Sequence, residues 1–152
     1  MSRNDLVALV HALFGTAAIL ASIMTRGQIS IPEQPVKAIG FAGFLLGGLL
    51  FAYSVFFLRK AFMGNVDPVG EALVTTGPYR VVRHPVYLAM LVMCVGLAIG
   101  VRSMLGLALA VFGFLPAAIY RARLEERALE AKYGEEWRVY RDRTRFFFPG
   151  IY

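Results

Sequence analysis

Two arginines and a histidine lie in the segment GPYRVVRHPVY, residues 77–87, immediately before a long apolar run. Pro85 suits the first turn of a helix because the N–H that proline lacks would have no partner there, which predicts His84 as the helix cap. The unpaired backbone N–H groups and the positive end of that helix would then lie beside Arg80 and Arg83. Such a site is suited to an anion, either a carboxylate or a phosphate.

Two adjacent carboxylates, Glu125 and Glu126, follow the last apolar segment of the chain. Because Arg102 alone joins the last two apolar segments, we expect a tight helical hairpin whose other two ends lie side by side. The carboxylates and the arginine-histidine segment should therefore converge on one pocket. A pocket with both signs of charge suits a zwitterionic ligand that carries an amine, a carboxylate and a further cation. Four residues are expected to border it with charge or with aromatic faces: Arg121, Arg123, Tyr79 and Tyr87.

Each of these residues also has a structural interpretation. The arginines, Arg80 and Arg123 above all, could serve as positive anchors beside lipid headgroups. Glu125 and Glu126 could form a solvated helix face, although a glutamate near arginines at the mouth of a membrane helix is more often paired. His84 could do no more than cap its helix. The residue types alone leave these alternatives open.

The elements that must position these side chains are four apolar segments: residues 6–25, 38–58, 86–101 and 103–120. Of the 152 residues, 58% are apolar and 17% charged, which is a membrane composition. As helices, the first two segments reach the ~20 residues that cross a bilayer, and the last two are slightly shorter. We therefore predict one all-α domain, an integral membrane helical bundle with four transmembrane helices. A cytoplasmic cap is expected from residues 59–84 and 121–152.

The C-terminal part of this cap has a helical pattern. Small and apolar residues recur among charges after Tyr120, which predicts that the fourth helix continues past the bilayer to about Lys132. Tyr133-Gly134 indicates a stop, and a second short helix is expected over residues 135–141.

The basic residues divide unevenly between the two ends of the predicted spans. Only three of the 16 lysines and arginines, Arg26, Lys37 and Arg102, fall at one end. The positive-inside rule then places both termini in the cytoplasm, and a bacterial chain in the inner membrane. Anionic lipid headgroups account for the net charge of +6, so we expect membrane lipids and no nucleic acid as partners.

The remaining notable residues are assigned to packing or to the membrane interface. The glycine pairs Gly43–Gly47 and Gly96–Gly100 match G-x-x-x-G, which lets membrane helices approach closely. Cys94 lies within a span and is expected to pack there. His11, alone within the first span, is assigned to packing or to the interface. Five aromatic residues are expected first to anchor the C-terminal segment at the interface and second to form walls of a ligand site: Trp137, Tyr140 and the run 146–148.

The two motifs together resemble a known family. GPYRVVRHPVY, a two-span hairpin and then LEERALEAKYGEEWRVYRDRTRFFFPG are similar to the C-terminal half of isoprenylcysteine carboxyl methyltransferases and their bacterial relatives, which include phospholipid methyltransferases. The resemblance covers residues 77 to about 149. It implies an integral membrane enzyme with S-adenosylmethionine in a cytoplasm-facing pocket and a lipophilic or lipid-like acceptor that enters from the bilayer.

The resemblance also suggests roles for individual residues. Arg83 and Glu126 are expected to be catalytic, and no metal is expected. Methyl transfer needs no covalent nucleophile, but an amine or thiol acceptor would need a proton acceptor, either Glu126 or His84, whereas a carboxylate acceptor would not. Six residues are expected to bind the cofactor: Tyr79, His84, Pro85, Tyr87, Arg121 and Glu125.

Two other functions remain open from the sequence. Membrane reductases that use NADPH share a similar R-H-P-x-Y segment, although the spacing of Glu125-Glu126 and YGEEW is closer to the methyltransferases. A non-enzymatic four-helix carrier normally needs an ionisable residue within a span, and only His11 meets that condition.

Overall fold

All regular secondary structure in the described residues is helical. The computed structural model describes residues 3–30, 32–58 and 73–148. Its helices are α1 (Arg3–Met24), α2 (Glu33–Leu58), a 3₁₀ turn (Gly77–Arg80), α3 (Pro85–Gly100), α4 (Met104–Ala108), a π-helical turn (Leu109–Phe114), α5 (Leu115–Tyr133) and α6 (Glu135–Arg143). The all-α prediction is confirmed. Residues 59–72 of the predicted cytoplasmic loop and residues 149–152 lie outside the described part of the chain.

Four apolar helical segments carry the membrane character. The segments Asp5–Met24, Glu33–Leu58 and Met104–Tyr133 are long and apolar enough to cross a bilayer, and α3 is a shorter apolar helix of 16 residues. Large apolar side chains on their outer faces are more than half exposed, among them Leu49 on α2 and Phe112 on the π-helical turn. Exposed apolar side chains of this kind suit contact with lipid, and the three long helices have the length and composition needed to cross a bilayer.

Helices α2 and α3 pack backbone to backbone along their glycines. A methyl group added at Gly40 would lie 2.2 Å from the backbone nitrogen of Gly100. One added at Gly96 would lie 2.6 Å from the backbone nitrogen of Phe44. The interpretation of the G-x-x-x-G pairs as packing elements is therefore confirmed, and the packing is within the chain.

A tight turn connects α3 to α4 and sets the register of the hairpin. Arg102 adopts a left-handed backbone conformation with φ of 58°. Ser103 caps α4 by accepting a hydrogen bond from the backbone N–H of Gly106 at 2.9 Å. The Ser103 hydroxyl also lies 2.7 Å from the Thr25 hydroxyl, which attaches α1 to the same turn. The predicted hairpin is thus confirmed.

The second arm of the hairpin is not one regular α-helix. Its six-residue π-helical turn, Leu109–Phe114, separates α4 from α5. Pro116 lies two residues after the end of the turn and has no N–H for the usual bond to the fourth residue before it, so the hydrogen-bond ladder widens ahead of it. The sequence analysis did not anticipate this turn. Beyond it, α5 extends to Tyr133 and Gly134 separates it from α6, as predicted.

The C-terminal segment folds back onto the bundle. Residues Val82 and Arg145 form an isolated parallel bridge, with the Arg83 N–H donating to the Arg145 carbonyl at 2.7 Å. Trp137 is only 1% exposed and Phe147 only 3%. Their assignment to the membrane interface was therefore wrong, because this non-local pairing turns the aromatic side chains into the interior, where Phe147 packs with residues of α3 and α5.

The glycine contacts between α2 and α3 predict a position-specific loss of stability. Gly40→Ala should lower the free energy of unfolding by about 1–3 kcal/mol, because the added methyl group meets backbone atoms that cannot move aside. Unfolding of the purified protein in mixed micelles with increasing dodecyl sulfate measures this.

Gly48→Ala is the matched control, since a methyl group there would meet nothing within 4 Å. It should leave stability unchanged or slightly increased. Equal stabilities of the two variants would contradict the observed packing.

Candidate active site

The carboxylate of Glu126 contacts two basic side chains from the segment that precedes α3. Arg83 donates from Nε to Glu126 Oε1 at 2.6 Å. His84 Nε2 lies 3.3 Å from the same oxygen. Because Arg83 and His84 immediately precede α3 and Glu126 lies on α5, the pairing joins the two arms of the hairpin.

The neighbouring carboxylate, Glu125, contacts a different set of side chains. The Tyr87 hydroxyl donates a hydrogen bond to Glu125 Oε1. Arg121, one turn earlier on α5, donates from Nε to the same oxygen at 3.2 Å. His84 Nδ1 lies 3.8 Å from Glu125 Oε2, so the two nitrogens of this imidazole approach different carboxylates. We call this group the carboxylate cluster; its members are Arg83, His84, Tyr87, Arg121, Glu125 and Glu126.

The expected convergence of the two motifs is therefore present in the structure. A 3.6-residue period brings Arg121 and Glu125 to one face of α5, and the short turn at Arg102 aligns the start of α3 with that face. Arg83 and Arg121 are each less than one-tenth exposed. Buried charges of this kind are maintained by partners of opposite sign, and the cluster supplies them within a few ångströms.

Burial and neighbouring charges shift the pKa of Glu126 in opposite directions. Burial raises the pKa of its carboxyl group, while hydrogen bonds and charges from His84 and Arg83 lower it. The lowering prevails, so the pKa of Glu126 lies below its ordinary value and the carboxylate is ionised at neutral pH. Burial raises the pKa values of Tyr79 and Tyr140, which keeps both as neutral phenols.

Arg83 also connects the cluster to the C-terminal segment. Its NH1 group donates to the backbone carbonyl of Arg141 at 2.9 Å and to that of Thr144 at 2.6 Å. A single guanidinium thus joins Glu126 to the end of α6. This anchoring role was missed in the sequence analysis, because both carbonyl partners lie about 60 residues later in the chain.

The structure modifies the predicted anion site at the start of α3. His84 occupies the N-cap position and Pro85 the first turn, as predicted, but the His84 side chain makes no capping hydrogen bond. It points instead to the carboxylates, and Arg83 does the same. Pro85 is fully buried and shapes the start of the helix. The two basic side chains expected to face an external anion therefore already pair with carboxylates of the chain.

Tyr79 has a buried hydroxyl group without a hydrogen-bond partner among the described residues. The side chain is 7% exposed, while its backbone carbonyl accepts a hydrogen bond from the Tyr140 hydroxyl at 2.7 Å. Glu125 contributes to the raised pKa of Tyr79, which indicates that the phenol lies within electrostatic range of that carboxylate. An unpaired buried hydroxyl is costly unless a ligand supplies a partner.

The faces of Tyr87 contact side chains of the protein itself. Its ring stacks with that of His84 at a centroid distance of 5.8 Å, and the Arg121 guanidinium lies 5.8 Å from its centroid. The edge contact comes from His11, whose ring centroid is 5.0 Å away. His11 was assigned to packing or to the interface, yet its ring contacts Tyr87, a member of the carboxylate cluster. Its signal in the sequence was an ionisable side chain within a membrane span.

The chain matches a family described as phospholipid methyltransferase, over residues 36–136. The match runs from the start of α2 to the start of α6 and includes every predicted site residue. The chain is also 30% identical, over 153 aligned positions, to the nickel-cobalt-cadmium resistance protein NccN of Alcaligenes xylosoxydans xylosoxydans. That alignment covers 96% of this chain and 60% of the relative, so the chain spans less than two thirds of the relative's length.

The contacts of Arg83 predict that a conservative substitution loosens the C-terminal segment. Arg83→Lys keeps the charge, but a single ammonium group cannot reach Glu126 and both backbone carbonyls in the same fork geometry. Amides of residues 135–148 should lose about 2–4 kcal/mol of protection, the cost of leaving buried groups partly unpaired. Hydrogen exchange with mass spectrometry measures the effect.

Arg138→Lys is the control, because Arg138 is 53% exposed and pairs with Glu130 on the surface. It should change the protection little. Similar exchange in both variants would mean that Arg83 does not hold this segment.

Proposed function

Because the chain belongs to the phospholipid methyltransferase family, we propose that it transfers the methyl group of S-adenosylmethionine to a lipophilic acceptor at the cytoplasmic face of the membrane. The acceptor is a small lipophilic or lipid-like molecule with a carboxylate, amine or thiol. The carboxylate cluster at the end of the α3–α5 hairpin is the observation that carries the proposal.

The residues of the cluster and Tyr79 fit the proposed cofactor. When bound, S-adenosylmethionine supplies a methyl group on a positively charged sulfur. Its amine, carboxylate and sulfonium need partners of both signs, and the carboxylate cluster contains both, with Glu126 as an anion and Arg121 as a cation. The Tyr79 hydroxyl is a buried polar atom without a partner in the described part of the chain, as expected of a group that binds a ligand.

The carboxylates differ in what they can offer a ligand. Arg83 and His84 both approach Glu126 through Oε1, so we assign Oε2 to the cofactor amine or to a ribose hydroxyl. Glu125 accepts from Tyr87 and Arg121 and holds both side chains in place. In this arrangement Glu126 orients Arg83. Arg83 in turn is proposed to contact the acceptor or the carboxylate of the cofactor.

Such a site must mainly align the methyl donor with the nucleophile and exclude water. An in-line displacement needs donor and nucleophile held within ~3–3.5 Å, and the buried cluster gives fixed positions for both. With an amine or thiol acceptor, Glu126 or His84 can accept the proton that is released. A carboxylate acceptor needs no such step.

The orientation follows from the distribution of charge. By the spans predicted from the sequence, thirteen of the 16 lysines and arginines are assigned to the end that carries the carboxylate cluster, which favours the cytoplasmic side for that end and for both termini. The metal resistance in the name of the relative is a property of that protein, and we propose no metal for this chain.

Binding of S-adenosylhomocysteine tests the proposal. Isothermal titration of the purified protein in detergent should give saturable binding, with NADPH as the parallel ligand. Glu126→Gln should weaken binding by about 10–100-fold, because it replaces a charge-assisted hydrogen bond by a neutral one.

Glu135→Gln is the control, since its carboxylate is 78% exposed on α6. Its affinity should equal that of the unmodified protein. Binding of NADPH alone would favour a reductase and overturn the proposal, and equal affinities of the two variants would remove Glu126 from the cofactor site.

The unpaired hydroxyl of Tyr79 gives a second prediction. Tyr79→Phe removes an oxygen that has no hydrogen-bond partner in the described structure, so stability should stay the same or rise slightly. Affinity for S-adenosylhomocysteine should nevertheless fall about threefold to tenfold, the effect of one lost hydrogen bond.

Tyr140→Phe is the opposite control, because the Tyr140 hydroxyl donates to the Tyr79 carbonyl. It should lower the melting temperature. If Tyr79→Phe instead destabilises the protein and binds the ligand normally, its hydroxyl has a structural role.

A further inference from the structure

A buried polar atom lies on the membrane side of the carboxylate cluster. His11 belongs to α1, within a predicted span, and is only 4% exposed. Its Nε2 atom has no hydrogen-bond partner among the described residues. A polar nitrogen left unpaired in an apolar span is costly, and such residues commonly face a substrate or proton pathway.

The ring of His11 touches two other elements. It meets Tyr87 of α3 edge-on at a centroid distance of 5.0 Å and Phe114 at 4.7 Å. Since Tyr87 is a member of the carboxylate cluster and donates to Glu125, His11 contacts the cluster directly and one side chain separates it from Glu125. Phe114 is the last residue of the π-helical turn, a departure from α-helical geometry that often occurs at functional sites.

An apolar groove lies between α1 and α5, and we call it the α1–α5 groove. Its volume is about 290 Å³, and it is lined by Leu6, Val7, Val10, Ala117 and Tyr120. On α1, Val7 precedes His11 by one helical turn and Val10 directly precedes it, so His11 is a neighbour in sequence of two lining residues. Ala117 follows Phe114 by three residues. Leu6 and Tyr120 are nearly half exposed, which opens the groove toward lipid.

From these observations we propose that the α1–α5 groove holds the hydrocarbon chain of the methyl acceptor and that His11 Nε2 hydrogen-bonds its polar head. The inference rests on the proposed function. A volume near the lower limit of the ~300–1,000 Å³ typical of small-molecule sites suits one chain rather than two. The acceptor is therefore a single-chain lipophile with a small protic head, an amine, thiol or carboxylic acid, that enters between α1 and α5.

The geometry separates this subsite from that of the cofactor. Tyr79 and Glu126 lie on the 3₁₀ turn and the extended part of α5, whereas His11 and the groove lie within the apolar bundle. The Tyr87 ring contacts both His84 and His11, so the two subsites border the same side chain. A head group at His11 would thus approach the cluster from the bilayer while the cofactor reaches it from the cap.

Photolabelling tests the inference on the full chain in lipid nanodiscs. The probe is a single-chain alkyl amine with a diazirine in its chain, and the labelled residues are located by mass spectrometry. Labels are expected on α1 and α5 residues that line the groove. His11→Phe keeps an aromatic ring but removes the nitrogen, and it should lower labelling about tenfold, the effect of one buried hydrogen bond.

Two further variants keep the test decisive if His11→Phe folds poorly. Val10→Trp fills the groove and should abolish labelling, whereas Leu13→Trp, on a lipid-facing position of α1 that is 58% exposed, should not. All three should retain affinity for S-adenosylhomocysteine. Labels elsewhere, or equal labelling in Val10→Trp and Leu13→Trp, would overturn the acceptor subsite. Absence of S-adenosylhomocysteine binding in the unmodified protein would instead overturn the proposed function.

Discussion

The pairing of Glu126 with Arg83 and His84 is the interaction on which the arrangement of the cap depends. A carboxylate beside a bilayer loses much of its hydration, and only nearby donors and positive charge keep it ionised. Those donors come from the segment before α3, so the ends of α3 and α5 must stay in register. The same guanidinium holds the carbonyls at the end of α6, and the return of the C-terminal segment therefore depends on the same contact.

This register is established at the opposite end of the hairpin. The turn at Arg102 and Ser103 sets where α4 begins relative to the end of α3. Close packing of Gly40 against Gly100 sets the position of α3 along α2. Insertion of one residue in the turn would rotate Glu125 and Glu126 by about 100° around the axis of α5. A shift between Gly40 and Gly100 would instead displace α3 along α2. The glycine contacts and the Ser103 cap thus help to position the carboxylate cluster, although they lie at the opposite end of the helical bundle.

Much of this architecture follows from local sequence patterns. Four features were predicted because each depends on hydropathy, a turn residue or a proline within a few positions. They are the spans, the hairpin, the break at Gly134 and the position of His84 before α3. The predicted hairpin was sufficient to expect the contact between Arg83 and Glu126. The assignment of catalytic and cofactor-binding roles to these residues stays a prediction.

The features that were missed depend on contacts between distant parts of the chain. Trp137 and Phe147 have the composition of interface anchors, and only the bridge between Val82 and Arg145 turns them inward. The π-helical turn gave no periodic signal, because its widening affects only six residues ahead of Pro116. His11 could not be distinguished from a packing residue without knowing that Tyr87 and Phe114 surround it.

The two unpaired buried side-chain atoms of the described residues, on Tyr79 and His11, both belong to the surroundings of this cluster. Other buried hydroxyls, such as those of Tyr87, Ser22 and Ser54, have partners within the protein. If Tyr79 and His11 only filled space, phenylalanine would do so at lower cost. Their position on opposite sides of one group of charges, toward the cap and toward the bilayer, suits a reaction whose two reactants come from water and from lipid.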